Sequence, residues 1–532
     1  MACQRSMFTA SRTQAFTYLL GVCPFSIAFL VFINSSISFV VTDLIGIHDG
    51  EGDAVGTLGF ADELLALAAC PVWGVLSDRI GVRQVCIAGY VIVAIALVLF
   101  VQASNVYPQL LLGRLLFSIG GAAVSTMVTA VLPVVTGGRP SPRIEGDQLE
   151  PKTDAPSSRL AGFVGMCTGC GALISLVILL PLPAHFQEMG LSPARAIQYT
   201  YYTAAAIAVV VSFCCFLGLR NLPGEDGKSW TSLWTDPRSS TAEPTRHTSR
   251  TIYSTRFPYL NQLGSAVSLG FRNRDIFVGY LGGFVARASS VGISLFIPLF
   301  VNNYYRRSGL CDERPTEGAN PGDIKRSCPK AYVLASILTG VSQLIALIAA
   351  PAFGYLSEKS RRYHLPLFIA CLAGVVGYSV LAVLPSPEFK GEKGSPGIFV
   401  VMALVGVSQI GAIVCSLSVL SNGILSMTSS AEAAQNASNS QTPSTGPESD
   451  EQQPLLETPV HRKQQPSDLK GSISGVYSLF GGAGILLLTK LGGLLFDVLG
   501  SSAPFYIMAG FNGVLVLVGV LSGLTIHFKV SQ

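Results

Sequence analysis

The sequence predicts an all-α membrane protein of twelve spanning helices, arranged as two pseudo-symmetric halves of six. Three observations predict it. The 532 residues are 49% hydrophobic and 12% charged, with a mean hydropathy of +0.50; a soluble domain carries about 25% charged residues. The apolar residues gather into twelve runs, each close to the ~20 residues that cross a hydrocarbon core ~30 Å thick. One short string also occurs twice, as PVWGVLSDRIGVR from Pro71 and PAFGYLSEKSRRY from Pro351.

The runs are justified in chain order. Run 1 (15–41) is too long for a signal-peptide core, and no small-residue cleavage site closes it, so it reads as a true span. Run 2 (54–76) ends in the first copy of the repeated string. Run 3 (84–103) contains VCIAGYVIVAIALVLFV, an unbroken apolar stretch. Run 4 (108–132) follows, then run 5 (160–183), whose Cys167 and Cys170 sit among Gly and Ala. Close helix packing explains that pair better than redox or metal chemistry. Run 6 (196–218) contains AAAIAVVVSFCCFLGL and completes the first half, 1–219. A polar, basic linker, 220–275, separates it from the second half, 276–532. That half holds runs at 276–302, 331–356, 365–385, 397–421, 472–495 and 503–527, and the second copy of the string closes run 8. None of the twelve alternates polar with apolar as a barrel strand does.

Two polar inserts interrupt the halves. Residues 137–158 are rich in Pro and charge. Residues 429–470 lack aromatics and β-branched runs and are expected to be disordered. Lys and Arg concentrate on the side that holds both chain ends, which places the termini in the cytosol. The net charge of +4 therefore reflects topology, and no nucleic-acid partner is expected. Cys311 and Cys328 share a loop on the opposite side, where a disulfide is allowed.

A string repeated at equivalent helix ends marks parallel repeats that place equivalent loops on one face. Here the sequence resembles the major facilitator superfamily. GVLSDRIGVR is similar to that family's signature between helices 2 and 3, through Gly74, Leu76, Asp78, Arg79, Gly81 and Arg83. Gln84 stands where a basic residue is usual. LLLGRLLFSIGGAA resembles the helix-4 signature through Arg114, Gly120 and Ala122, with Ser118 in place of the first glycine. The resemblance covers all twelve runs. It implies the superfamily fold, transport by alternating access, and a gating role for the repeated string: Gly74, Asp78, Arg79, Gly81 and Arg83 in one half, Gly354, Glu358 and Lys359 in the other.

Physical chemistry gives those residues work to do. Gly74 and Gly81 leave room where helices and loop approach closely. An acid at the position of Asp78 can cap a neighbouring helix or pair with a base; the alternative is that these charges only fix topology. Charges inside the membrane are costly unless paired or solvated. Asp62 and Glu63 lie in run 2, Arg114 in run 4 and Arg287 in run 7. Adjacent residues point about 100° apart on a helix, so one of the two acids is expected to face Arg114. A carboxylate that alternates between a cation and an open cavity suits proton coupling; a static packing pair is the alternative. Arg287 either holds a substrate carboxylate or phosphate, or pairs across the halves with the spare acid. Asn34, Gln343, Gln409 and Tyr477 are candidate cavity residues. Lys490 is expected to snorkel to the interface, and Tyr199, Tyr201, Tyr202, Tyr304 and Tyr305 to form an aromatic belt.

Several patterns are missing. There is no Pro-Glu-Ser-Pro-Arg string of sugar transporters and no Glu-x-x-Glu-Arg-Phe of peptide transporters. The antiporter signature keeps Gly165 and Gly169 but has Cys170 for its proline. No phosphate-cradling glycine loop is present, so ATP does not drive the protein directly. Scattered His and no nucleophile triad argue against an enzyme, a metal or a cofactor. The reading is a monomeric secondary transporter of a small molecule in a lipid bilayer, coupled to protons. The competing reading is a non-transporting sensor on the same fold. Glu451, Leu455 and Leu456 form an acidic dileucine pattern that adaptor proteins can read. It favours a vacuolar, lysosomal or endosomal membrane over the plasma membrane.

Overall fold

The computed structural model describes residues 10–46, 51–136, 156–223, 225, 228, 258–309, 329–360, 365–389, 394–439 and 469–530. Twelve helices are long and apolar enough to span a bilayer: α1 (Arg12–Ile37), α2 (Val55–Ile80), α3 (Val82–Phe100), α4 (Val106–Thr136), α5 (Ser157–Glu188), α6 (Pro193–Gly218), α7 (Arg274–Arg307), α8 (Val333–Lys359), α9 (Leu365–Val383), α10 (Gly397–Thr428), α11 (Lys470–Leu499) and α12 (Ala503–Leu521). Each corresponds to one of the twelve apolar runs. The fold is the predicted one, two halves of six helices.

Packing within the first half joins α3 to α4 and α6, α2 to α4, and α1 to α5; within the second, α10 packs on α7, α8 and α9, and α9 on α12. Two helix pairs carry most of the contact between halves, α2 with α11 and α5 with α8. These are equivalent pairs under the repeat, since each joins the second helix of one half to the fifth of the other. One buried core runs through both halves and includes Ala350, Val414 and Ile473. A second belongs to the C-terminal half alone, around Phe296, Phe300, Tyr378 and Phe505.

The turn between α2 and α3 shows why the repeated string contains glycine. Gly81 has φ +94°, where a side chain is strained. The turn leaves the first amide of α3 without a helical partner, and Glu225 of the linker accepts from Val82 N at 2.7 Å.

Several sequence expectations change. The linker holds a helix, Pro258–Arg272, seated against α2, α7 and α11. The insert expected to be disordered from 429 begins as helix, which continues from Gly397 to Asn439. Its polar Ala-rich opening extends a helix already nucleated in the membrane. Tyr201 and Tyr305 are buried, not belt residues. Tyr201 stacks on Phe100 and shares a 2.8 Å hydrogen bond with Ser36, because a buried phenol seeks a partner. Lys490 is exposed and places its ammonium 4.1 Å from the ring centroid of Phe60. Cys311, Cys328, Glu451, Leu455 and Leu456 lie outside the described residues.

Candidate functional site

The two copies of the repeated string meet the opposite half at one face of the bundle, called here the motif face. In α2, a Cβ on Gly74 would lie 2.5 Å from the carbonyl oxygen of Gly471 and 2.8 Å from Cα of Gly475, so α2 and α11 touch backbone to backbone. In α8, a Cβ on Gly354 would lie 2.7 Å from Cα of Gly162 in α5. The same residue type serves the same close approach in both halves.

Each acid follows its glycine to the same contact by different chemistry. Asp78 accepts from Gly471 N at 2.6 Å, from Ser472 N at 2.7 Å and from the Ser472 hydroxyl at 2.5 Å. It caps the first turn of α11, where free amides and the helix dipole favour an anion. Gln262 of the linker helix donates to the same carboxylate at 3.3 Å. Glu358 in α8 forms an ion pair with Arg159 near the start of α5. The Ser157 hydroxyl donates to Asn422 in α10, and Ser158 shares a 2.5 Å bond with Ser418. All these bonds cross between halves or tie the linker to them, and they close the motif face.

Other residues of the string act within one half. Arg83 donates to the carbonyl of Phe216 at the end of α6, at 2.7 and 3.2 Å. Arg79 is half-buried in the last turn of α2. Lys359 is exposed and makes no hydrogen bond or ion pair among the described residues.

Deeper in the bundle the intramembrane charges separate into two groups. Asp62 and Arg114 form a pair with N···O 2.5 Å, their side chains 7% and 3% exposed. The same guanidinium nitrogen donates to Asn34 of α1. Ser118, one turn beyond Arg114, donates to the backbone carbonyl of Asp62 at 2.8 Å. This cluster ties α1, α2 and α4 into one unit. Gly120 supports it by letting α4 reach α3: a Cβ there would lie 2.9 Å from the carbonyl of Gly89.

Glu63 takes no part in this ion pair and is half-buried. Arg287 is half-buried in α7, and its stem lies over Gly481, where a Cβ would come within 2.7 Å of the arginine Cγ. Glu63 is in electrostatic reach of Arg287. Three residues after Arg287, Ser290 accepts from Gln409 at 3.0 Å, and Gln343 donates to Gln409 at 3.2 Å. Four residues before it, Gly283 gives room to the ring of Tyr477, whose hydroxyl shares a 3.0 Å bond with Ser416.

The sequence reading missed the partners. Gly471 and Ser472 were legible in principle, because small and hydroxyl residues opening an apolar run mark a helix N-terminus. Arg159 carried no signal beyond a lone base before run 5.

Comparisons agree with this architecture. The family model of the Major Facilitator Superfamily matches residues 24–440. No curated protein matches the sequence. Solved structures do. The E. coli fucose:proton symporter FucP is similar with TM-score 0.55 and 13% identity, covering 96% of this chain and 99% of its own. The proton:xylose symporter XylE gives 0.54 and 12%, over 95% and 94%. The human organic anion transporter MFSD10 gives 0.51 and 13%, over 96% and 99%. At these identities the likeness speaks for the fold. With the family match across most of its length, the chain belongs to the Major Facilitator Superfamily.

Proposed function

We propose that the protein is a proton-coupled secondary transporter that moves a small molecule by alternating access, its motif face in the cytosol. The observation that carries the reading is the placing of four intramembrane charges, Asp62 and Glu63 in α2, Arg114 in α4 and Arg287 in α7, in membrane-spanning helices of both halves. Charges there are costly, and a chain that needed only packing would do without them. The bonds at the motif face suit a gate that breaks when the other side closes. Asp78 holds it shut through charge-assisted hydrogen bonds worth about 1.5–3 kcal/mol each, and Glu358 through a partly exposed ion pair worth about 0–1 kcal/mol. The excess of Lys and Arg in the loops on this side supports a cytosolic motif face.

Single chains enclose the whole pathway in this reading, so the working unit is a monomer. The acidic dileucine pattern at Glu451, Leu455 and Leu456 supports delivery by adaptor proteins to a vacuolar, lysosomal or endosomal membrane.

The test is uptake into proteoliposomes by Asp62→Asn and Glu63→Gln variants. At least one is expected to lose pH dependence. If both keep wild-type uptake and wild-type pH dependence, the proton-coupled reading is wrong.

A further inference from the structure

Two arginines deep in the bundle, Arg114 and Arg287, are in different situations. Arg114 is sealed, its side chain 3% exposed and engaged by Asp62 and Asn34. Arg287 is half-buried and makes no hydrogen bond or ion pair among the described residues. Glu63, likewise half-buried, makes none either.

The backbone brings these two together. Leu67 follows Glu63 by four residues, so both sit on one face of α2. A Cβ on Gly482 would lie 3.1 Å from Leu67, which puts that face against α11. The neighbouring Gly481 carries the stem of Arg287. An acid of the first half and a base of the second thus share one stretch of α11, with the motif face closed beneath them.

We infer that Arg287 is the anion subsite for a small organic monocarboxylate and that Glu63 carries the proton transported with it. The inference rests on the proton-coupled reading above. A guanidinium fork matches the two oxygens of one carboxylate. Ser290, Gln409 and Gln343, beside Arg287, offer neutral hydrogen-bonding groups to the rest of the molecule.

Charge balance then supplies the coupling. The charged groups in electrostatic reach of Glu63 are Asp62 on its own helix, Arg114 on α4 and Arg287 on α7, with the Cys70 thiol of α2 also within reach. Asp62 and Arg114 neutralise each other, and Lys490 lies over Phe60. That leaves Glu63 with Arg287 as its compensating cation. A substrate carboxylate that engages Arg287 leaves Glu63 without compensation in a poorly solvated site, and an unpaired charge there is costly. Glu63 takes one proton from the open side. The loaded carrier bears the same net charge as the empty one, since one anion and one proton have been added. Release of the carboxylate frees Arg287, Glu63 gives up its proton on the same side, and the two are again mutually compensated. No bond other than O–H forms or breaks.

The experiment uses purified full-length protein in liposomes holding a pH-sensitive dye, with potential clamped by potassium and valinomycin. The probes are pyruvate, 3-hydroxybutyrate and gluconate, against glucose and glycerol 3-phosphate. Wild type is expected to carry at least one monocarboxylate together with protons, at a rate independent of potential. Glu63→Gln should still exchange labelled for unlabelled carboxylate. Its net flux should move no protons and should become potential-dependent. Arg287→Lys should raise the half-saturating concentration about tenfold or more, and Arg287→Gln should abolish saturation. Monodisperse elution and a wild-type melting temperature are required of each variant, with Glu63→Asp as the milder substitute. Proton-coupled flux that survives Glu63→Gln, or an unchanged half-saturating concentration in Arg287→Gln, overturns this inference alone. So does proton-coupled flux of glucose or glycerol 3-phosphate with no carboxylate flux. Absence of flux for every probe in every condition overturns this inference; unchanged solute content of sealed vesicles, with the pH gradient intact or collapsed, overturns the proton-coupled reading as well.

Discussion

At the residue scale, the sealed pair Asp62–Arg114 and the half-buried Glu63 and Arg287 do different work. Asp62 and Arg114 are buried and pair through one guanidinium nitrogen, which also donates to Asn34, while Ser118 donates to the Asp62 carbonyl. Removing one member strands the other, at a cost of about 3–5 kcal/mol. Replacing both with apolar residues of similar size avoids that penalty. Arg114→Met and Asp62→Leu should therefore each lower the melting temperature strongly in detergent, and the double variant should recover much of the loss. Additive losses in the double variant would show that the two residues do not act as a pair. The pairing also explains why the sequence stopped short of it. Helical geometry sends Asp62 and Glu63 to different faces, but only the angular setting of α2 against α4 decides which one meets Arg114.

At the element scale, glycines determine which helices can touch. Gly74 faces Gly471 and Gly475, and Gly162 faces Gly354, with no room for a Cβ at either contact. Gly162→Leu and Gly74→Leu should thus prevent the motif face from closing without disturbing either half internally. Engineered cysteine pairs across α5–α8 and α2–α11 check this. Cross-linking should fall in the glycine variants; undiminished cross-linking would mean that these contacts do not limit closure. Much at this scale was legible in the sequence. Twelve apolar runs give twelve spans, because hydrocarbon thickness fixes their length. The repeated string marks the equivalent ends of α2 and α8. The linker helix was not legible as a run, since its 15 residues are too polar and too short to span. Its docking depends on tertiary contacts, with Ala266 accepting from the Tyr280 hydroxyl and Gln262 reaching Asp78. Tyr201 was misplaced for a related reason. A tyrosine near a helix end looks like a belt residue until Phe100 and Ser36 are found around it.

At the scale of the whole molecule, the motif face is closed by equivalent contacts from both halves, and the intramembrane charges lie deeper in the bundle. The arrangement suits a carrier that opens at one face only when the other is shut. The linker helix adds a third element to the closed face, because Gln262 binds the carboxylate that also caps α11. We propose that this motion is coupled to protons and moves a solute. Its most direct measurement is the solute content of sealed vesicles with and without the protein, with the pH gradient intact or collapsed. One class of small molecule should accumulate or be depleted, and only while the gradient holds. Identical contents in all conditions, with the protein folded and correctly inserted, would contradict it and leave a non-transporting sensor as the better reading.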